Sequence, residues 1–187
     1  NINTSFVDIT NLKEVEKSIT KKTKAIYCES VSNPLLEVAN IKSLSKIAKK
    51  NNIVLIVDNT FSPLSISPKR LGANIIIHSL TKFINGSSDA IGGVVCGTQK
   101  LVDNLRDVND GAAMLLGSSM DSLRAASILK NLRTLHIRIK QHSYNAMYLA
   151  KKFEKLGLKT VYPGLTSHPS HLVFKNQMNT EFGYGGM

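Results

Sequence analysis

Two short runs constrain this chain more than anything else in it. "IVLIVD" (53–58) and "IIIHS" (75–79) stay apolar, without alternation, up to the polar residues that end them. A strand with one wet face alternates apolar and polar side chains; a run that does not alternate belongs in a parallel sheet covered on both faces. The chain must therefore supply helices between its strands.

It does. "NLKEVEKSI" carries Leu12, Val15 and Ile19 at helical spacing, with Asn11 and Glu14 placed as a capping box. "KAIYCE" reads as a strand stopped by "SVSNP". Asn40 caps "IKSLSKIAKK", whose Ile41, Leu44, Ile47 and Ala48 form one apolar stripe. "GGVVCG" reads as a fourth strand. From Ser118 almost to Gly157 the pattern is helical, too long for one unbroken globular helix, so two helices are expected to meet near Thr134. Gly157 is the expected C-terminal cap. "LKTVYPGL" is then expected to be the first strand of a second domain, and "TSHPSHLVFKNQM" a loop and short helix.

With 187 residues, 42% of them hydrophobic, the chain has enough apolar content for an ordinary core. No run approaches the roughly 18 apolar residues of a membrane span, and the N-terminus lacks the layout of a secretion signal, so a soluble, cytoplasmic protein is expected. The chain starts on Asn and stops on "GYGGM", which reads as the inside of a loop, so a fragment of a longer protein is expected. Cys28 and Cys96 lie in apolar stretches and are expected to be buried thiols. The net charge of +11 attracts anions, but the basic residues are scattered over helical segments without interleaved aromatics. That pattern suits a solvated surface open to small phosphate-bearing ligands better than specific nucleic-acid binding.

In open parallel sheets ligands bind beyond the carboxyl ends of the strands. There "IVLIVD" ends in Asp58, followed by Asn59 and Thr60; "IIIHS" ends in His78 and Ser79, followed by Thr81 and Lys82; and "KAIYCE" ends in Glu29, with Asn33 nearby. A carboxylate ending a doubly buried strand needs a cationic partner or it neutralises. Lys82 in an ion pair would serve, and so would a protonated ring nitrogen. Small hydroxyl residues flanking a lysine supply close donors for a phosphate dianion. Other motifs carry less. His78 is read as structural, Asp89 as ordering the loop after the lysine, and His168 and His171 lack the surrounding ligands of a metal site. Neither nucleotide-loop glycine pattern occurs.

"ESVSNP", "VDNTF", "HSLTKFINGSSDAIGG", "YPGLTSHPSH" and "GYGGM" resemble, in order and spacing, segments of the pyridoxal-phosphate enzymes of cysteine and methionine metabolism. The resemblance covers essentially the whole chain. It implies an α/β fold, the fold-type I large domain with a mostly parallel sheet flanked by helices, here incomplete. Residues 1–133 would be part of that cofactor-binding domain, and residues 134–187 a linking helix and the beginning of a small C-terminal domain. It implies pyridoxal 5'-phosphate as cofactor, with Lys82 as its Schiff-base and proton-transfer residue. Asp58 would pair with the pyridinium nitrogen, Ser79 and Thr81 would bind the phosphate, and Asn33 would sit near the cofactor's 3′-oxygen. The implied activity is carbon–sulfur cleavage by α,γ-elimination of methionine or cystathionine. Cystathionine γ-synthase, O-acetylhomoserine sulfhydrylase and cystathionine β-lyase chemistry remain alternatives on the same site. The implied parent is a homotetramer of dimers that share sites. The Gly-rich phosphate turn, stacking tyrosine and carboxylate-binding arginine that members carry cannot be pointed to here.

Overall fold

The computed structural model describes residues 2–187. Four strands form one sheet in the order β1 (Ala25–Glu29), β2 (Val54–Asp58), β3 (Ile75–Ser79), β4 (Gly93–Cys96). The first three are parallel and β4 runs antiparallel to β3. The two non-alternating runs are thus the neighbouring strands β2 and β3, as their composition requires. Register places Glu29 beside Asp58 and Asp58 beside Ile77, so the polar strand ends fall along one edge of the sheet.

α1 (Leu12–Ser18) and α2 (Ile41–Lys50) start where expected, because Asn11 and Asn40 accept from the backbone N–H groups of Glu14 and Ser43. Only half of the first capping box forms: Glu14 accepts from Asp8 N–H rather than from Asn11. The main core lies on one face of the sheet, where Val15, Leu44 and Ile47 meet Ile26, Leu55, Val57 and Ile76.

The opposite face is more open than two-sided apolar strands suggest. Tyr27 is 58% and Val54 37% exposed, and Ile56 and Asp58 are half-buried. The reason is that the main core is built against the other face only. Cys28 is buried as expected, but Cys96 is exposed, a correction that follows from its place at the end of an edge strand.

After β3 comes a single π-helical turn, Leu80–Ile84, and after β4 the helices α3 (Gln99–Arg106) and α4 (Ala112–Leu116). The long helical region breaks as expected, into α5 (Ser122–Leu132) and α6 (Leu135–Lys155) with Thr134 at the junction. Gly157 takes the left-handed backbone (φ 75°) that ends α6.

The strand expected in "LKTVYPGL" does not form. Among the described residues this stretch has no strand partner, and Tyr162, Pro163 and Leu165 instead pack in irregular backbone, Tyr162 and Leu165 beside Ala150 of α6. The Tyr162 hydroxyl donates to Gly185 O at 2.9 Å, which ties two irregular segments together. α7 (His171–Lys175) follows, and its Phe174, fully buried, reaches into the main core. No helix among the described residues is long and apolar enough to cross a membrane.

Candidate active site

Asp58 ends β2, with its side chain on the open face of the sheet. Its Oδ1 accepts from Thr60 N–H at 2.9 Å, and its Oδ2 from the Tyr27 hydroxyl of the adjacent strand at 3.4 Å. No cation pairs with it among the described residues. Burial, and then the Asp58 charge, hold the Tyr27 phenol above its usual pKa, so it stays a donor.

Behind Asp58 lies a buried polar network. Asn59, 2% exposed, donates to Ile66 O at 3.0 Å and accepts from Ser62 Oγ at 2.7 Å, and Ser62 in turn meets Ser30 Oγ at 2.7 Å. A network satisfied in this way fixes one backbone course beyond the strand.

β3 delivers Ser79, and three residues later Lys82. The Ser79 backbone N–H donates to Thr60 Oγ1 at 2.8 Å, so Thr60 touches both Asp58 and the start of the lysine turn. The Ser79 hydroxyl is free among the described residues. Thr81, by contrast, is engaged: its hydroxyl accepts from Gly92 N–H at 3.0 Å and donates to Gly92 O at 3.3 Å. Lys82 is exposed, and its amine has no partner among the described residues. Its backbone (φ −87°, ψ −124°) departs from helical values inside the π-helical turn, which closes through Asn85 N–H to Leu80 O at 2.9 Å.

Asn33 lies in the loop after β1, at the same sheet edge. Its backbone N–H donates to Glu29 Oε2 at 2.8 Å, and its side chain is exposed. His78 points to the opposite face from Asp58. Its Nδ1 is buried without a partner among the described residues, and burial lowers its pKa against the opposing pull of Asp58. Asp89 orders the loop as expected, accepting from Asn85 Nδ2 at 2.8 Å. His168 Nδ1 accepts from Ser170 N–H, while His171 Nδ1 meets Pro163 O and its ring stacks on Tyr184. Among the described residues no cluster of three or more His, Cys, Asp or Glu side chains is placed to hold a metal.

Two partners of this site were not singled out from sequence. Tyr27 had a usable signal, since it stands two residues before Glu29 on the same side of a strand. Arg138, which reaches the turn after Lys82 from α6, had none.

An unpaired carboxylate and an unpartnered amine thus follow adjacent parallel strands, with a free hydroxyl between them. Residues 1–186 match the family described as Cys/Met metabolism PLP-dependent enzyme, and the chain belongs to that family. Among curated relatives, methionine gamma-lyase of Arabidopsis thaliana is 43% identical over all of this chain and 43% of its own length. Cystathionine beta-lyase of Coxiella burnetii is 41% identical over 98% of this chain and 47% of its own. The solved structure of cystathionine gamma-lyase from Lactobacillus plantarum, complexed with L-serine, superposes with a TM-score of 0.84 at 34% identity, covering 97% of this chain and 47% of that one. The chain therefore spans about half the length of the relatives it matches, and its fold is that of the fold-type I large domain.

Proposed function

We propose that this chain supplies the cofactor-anchoring half of a carbon–sulfur lyase acting on a sulfur amino acid, methionine or cystathionine. The observation that carries this reading is the juxtaposition at the sheet edge: among the described residues, Asp58 on β2 has no cation and Lys82 just past β3 has no anion. An unpaired carboxylate of this kind fits the ring N–H⁺ of pyridoxal phosphate, and the free amine fits its aldehyde carbon.

When bound, that cofactor draws electrons from the substrate's Cα and so acidifies its proton. Asp58 would accept from the ring nitrogen, its carboxylate already oriented by Thr60 N–H and Tyr27. The Ser79 hydroxyl would donate to the phosphate; Thr81 would join it only by turning its hydroxyl away from Gly92. Lys82 would hold the aldehyde carbon at rest. During turnover its neutral amine would take the proton from Cα and move protons at Cβ and C4′, so that the γ-sulfur leaves as a thiol. Water then yields an α-keto acid and ammonia. Asn33 would lie near the cofactor's 3′-oxygen and the substrate carboxylate.

The division of the chain at Thr134 is supported by the break between α5 and α6, although Phe174 returns residues 134–187 to the main core. A homo-oligomeric parent suits the exposed Leu149 and Phe153 along α6, and a reducing, cytoplasmic compartment suits two unpaired cysteines.

The test is covalent trapping. Incubation with pyridoxal phosphate followed by borohydride should add one phosphopyridoxyl group at Lys82, read by peptide mass spectrometry. Lys82→Ala should add none. Labelling that persists elsewhere in that variant would overturn the assignment. With the full-length protein, methanethiol from methionine supports the lyase, whereas turnover only of acylated homoserine with a thiol would move it to γ-replacement.

A further inference from the structure

Lys82 is anchored on both sides of its non-helical backbone step, and the two anchors differ. On the N-terminal side the hold is local, through Thr81 and Gly92. On the C-terminal side it comes from far along the chain. Arg138, in the first turn of α6, donates from Nη1 to Phe83 O at 2.6 Å and from Nη2 to Ile84 O at 2.8 Å. Nη2 also reaches Asn131 O at 3.1 Å, and Nε reaches Thr134 Oγ1 at 3.1 Å.

No carboxylate pairs with this guanidinium among the described residues, although burial disfavours its charge. A half-buried cation spent wholly on neutral oxygens loses hydration without gaining a counter-charge, which is unfavourable unless those oxygens need it. Here they do, because the last carbonyls of a short helical turn have no intrahelical donors, and the negative end of its dipole favours a cation. Only the planar fork of arginine meets two successive carbonyls at once; a lysine would offer a point charge. The opposite wall is cut to fit. Gly86 has φ 74°, and a Cβ there would collide with Nη1 and Cζ of Arg138. Below the fork, Ile84 packs on Leu135 and Ile139 of the same helix.

We infer that Arg138 is a positioning residue for Lys82, holding the two peptide carbonyls that follow the lysine so that its amine is presented at one place beyond β3. The inference rests on the reading of Lys82 as the cofactor-linking residue. It ties the lysine's aim to the seating of α6: a shift of that helix moves the fork, and the fork moves the turn.

The experiment follows capture of pyridoxal phosphate at Lys82 as a function of pH in the wild-type chain and in Arg138→Ala, Arg138→Lys and Gly86→Ala. Arg138→Ala should slow capture by about tenfold or more, the scale of a lost charge-assisted hydrogen bond, and should shift its pH midpoint. Millimolar guanidinium should recover part of that rate in Arg138→Ala while leaving the wild type unchanged, a rescue that general destabilisation would not show. Arg138→Lys should recover little, and Gly86→Ala, which keeps the arginine but displaces it, should also slow capture. Unchanged rate and midpoint in a folded Arg138→Ala, or in Gly86→Ala if the former does not fold, would overturn the inference. If the wild-type chain captures nothing at Lys82, the reading of Lys82 itself fails. The clamp is then judged from hydrogen exchange of the cofactor-free chain, where Asn85 and Gly86 amides should exchange faster in Arg138→Ala than in wild type and equal rates would overturn it.

Discussion

Asp58 and Lys82 stand at the ends of neighbouring strands, yet different parts of the chain hold them. The aspartate is held by its own strand pair and the turn that follows: Thr60 two residues on, Tyr27 across the ladder, and the Asn59–Ser62–Ser30 network behind. The lysine turn is held from a distance. Asn131 donates to Asn85 across 46 residues, and Arg138 reaches Phe83 across 55. The anionic anchor therefore forms with the sheet, whereas the cationic anchor is complete only when the α5–α6 junction docks.

The strongest way to break this comparison is to loosen the junction. Ile139 is 1% exposed in the cluster under the lysine turn, and Ile139→Ala should cost about 2–5 kcal/mol in urea unfolding. Hydrogen exchange should rise first at residues 80–86. A rise that begins in β1 and β2 would show that the two anchors are not separable.

The converse change acts at the other anchor. Asn59→Ala removes the donor to Ile66 O and one of the two partners of Ser62 Oγ, and should cost about 1–3 kcal/mol, with exchange at residues 80–86 left near wild type. A smaller effect is expected for Asn131→Ala, about 1 kcal/mol, because its contact to Asn85 is only partly buried and its contact to Ser87 is exposed. That variant should slow cofactor capture at Lys82 without altering the surroundings of Asp58.

The smallest effect is a pH dependence from His78 on β3, whose side chain lies on the face opposite Asp58. Burial depresses its folded-state pKa, so below the ordinary histidine value of 6.5 the unfolded chain binds a proton that the native ring refuses. Stability should therefore fall as pH drops through about 6.5 and level off below the folded-state value. His78→Phe should flatten that fall in urea midpoints measured between about pH 7 and about pH 5; an unchanged slope would place the titration elsewhere.

Much of this was legible in residues. Runs without alternation named β2 and β3, two asparagines named the starts of α1 and α2, and the strand-end rule located Asp58, Ser79 and Lys82 on one edge. What failed did so for tertiary reasons. "LKTVYPGL" has a strand-like composition but no strand to pair with among the described residues, and its apolar residues pack beside α6 instead. Cys96 follows two valines in an apolar stretch, but its strand lies at the sheet edge, where Val95 is exposed as well. Thr81 keeps its proposed place as a phosphate ligand, but only the approach of Gly92 shows that its hydroxyl is already engaged.

By itself the sequence determined the strand pair, the helix starts and the chemical types at the sheet edge, because periodicity, capping and strand-end position are local properties of the chain. Only the tertiary structure decided which face of the sheet stays open to Asp58 and which arginine holds the turn after Lys82. Those outcomes depend on which distant surfaces meet, and nothing in the spacing of residues 80–86 marks a guanidinium that arrives from residue 138.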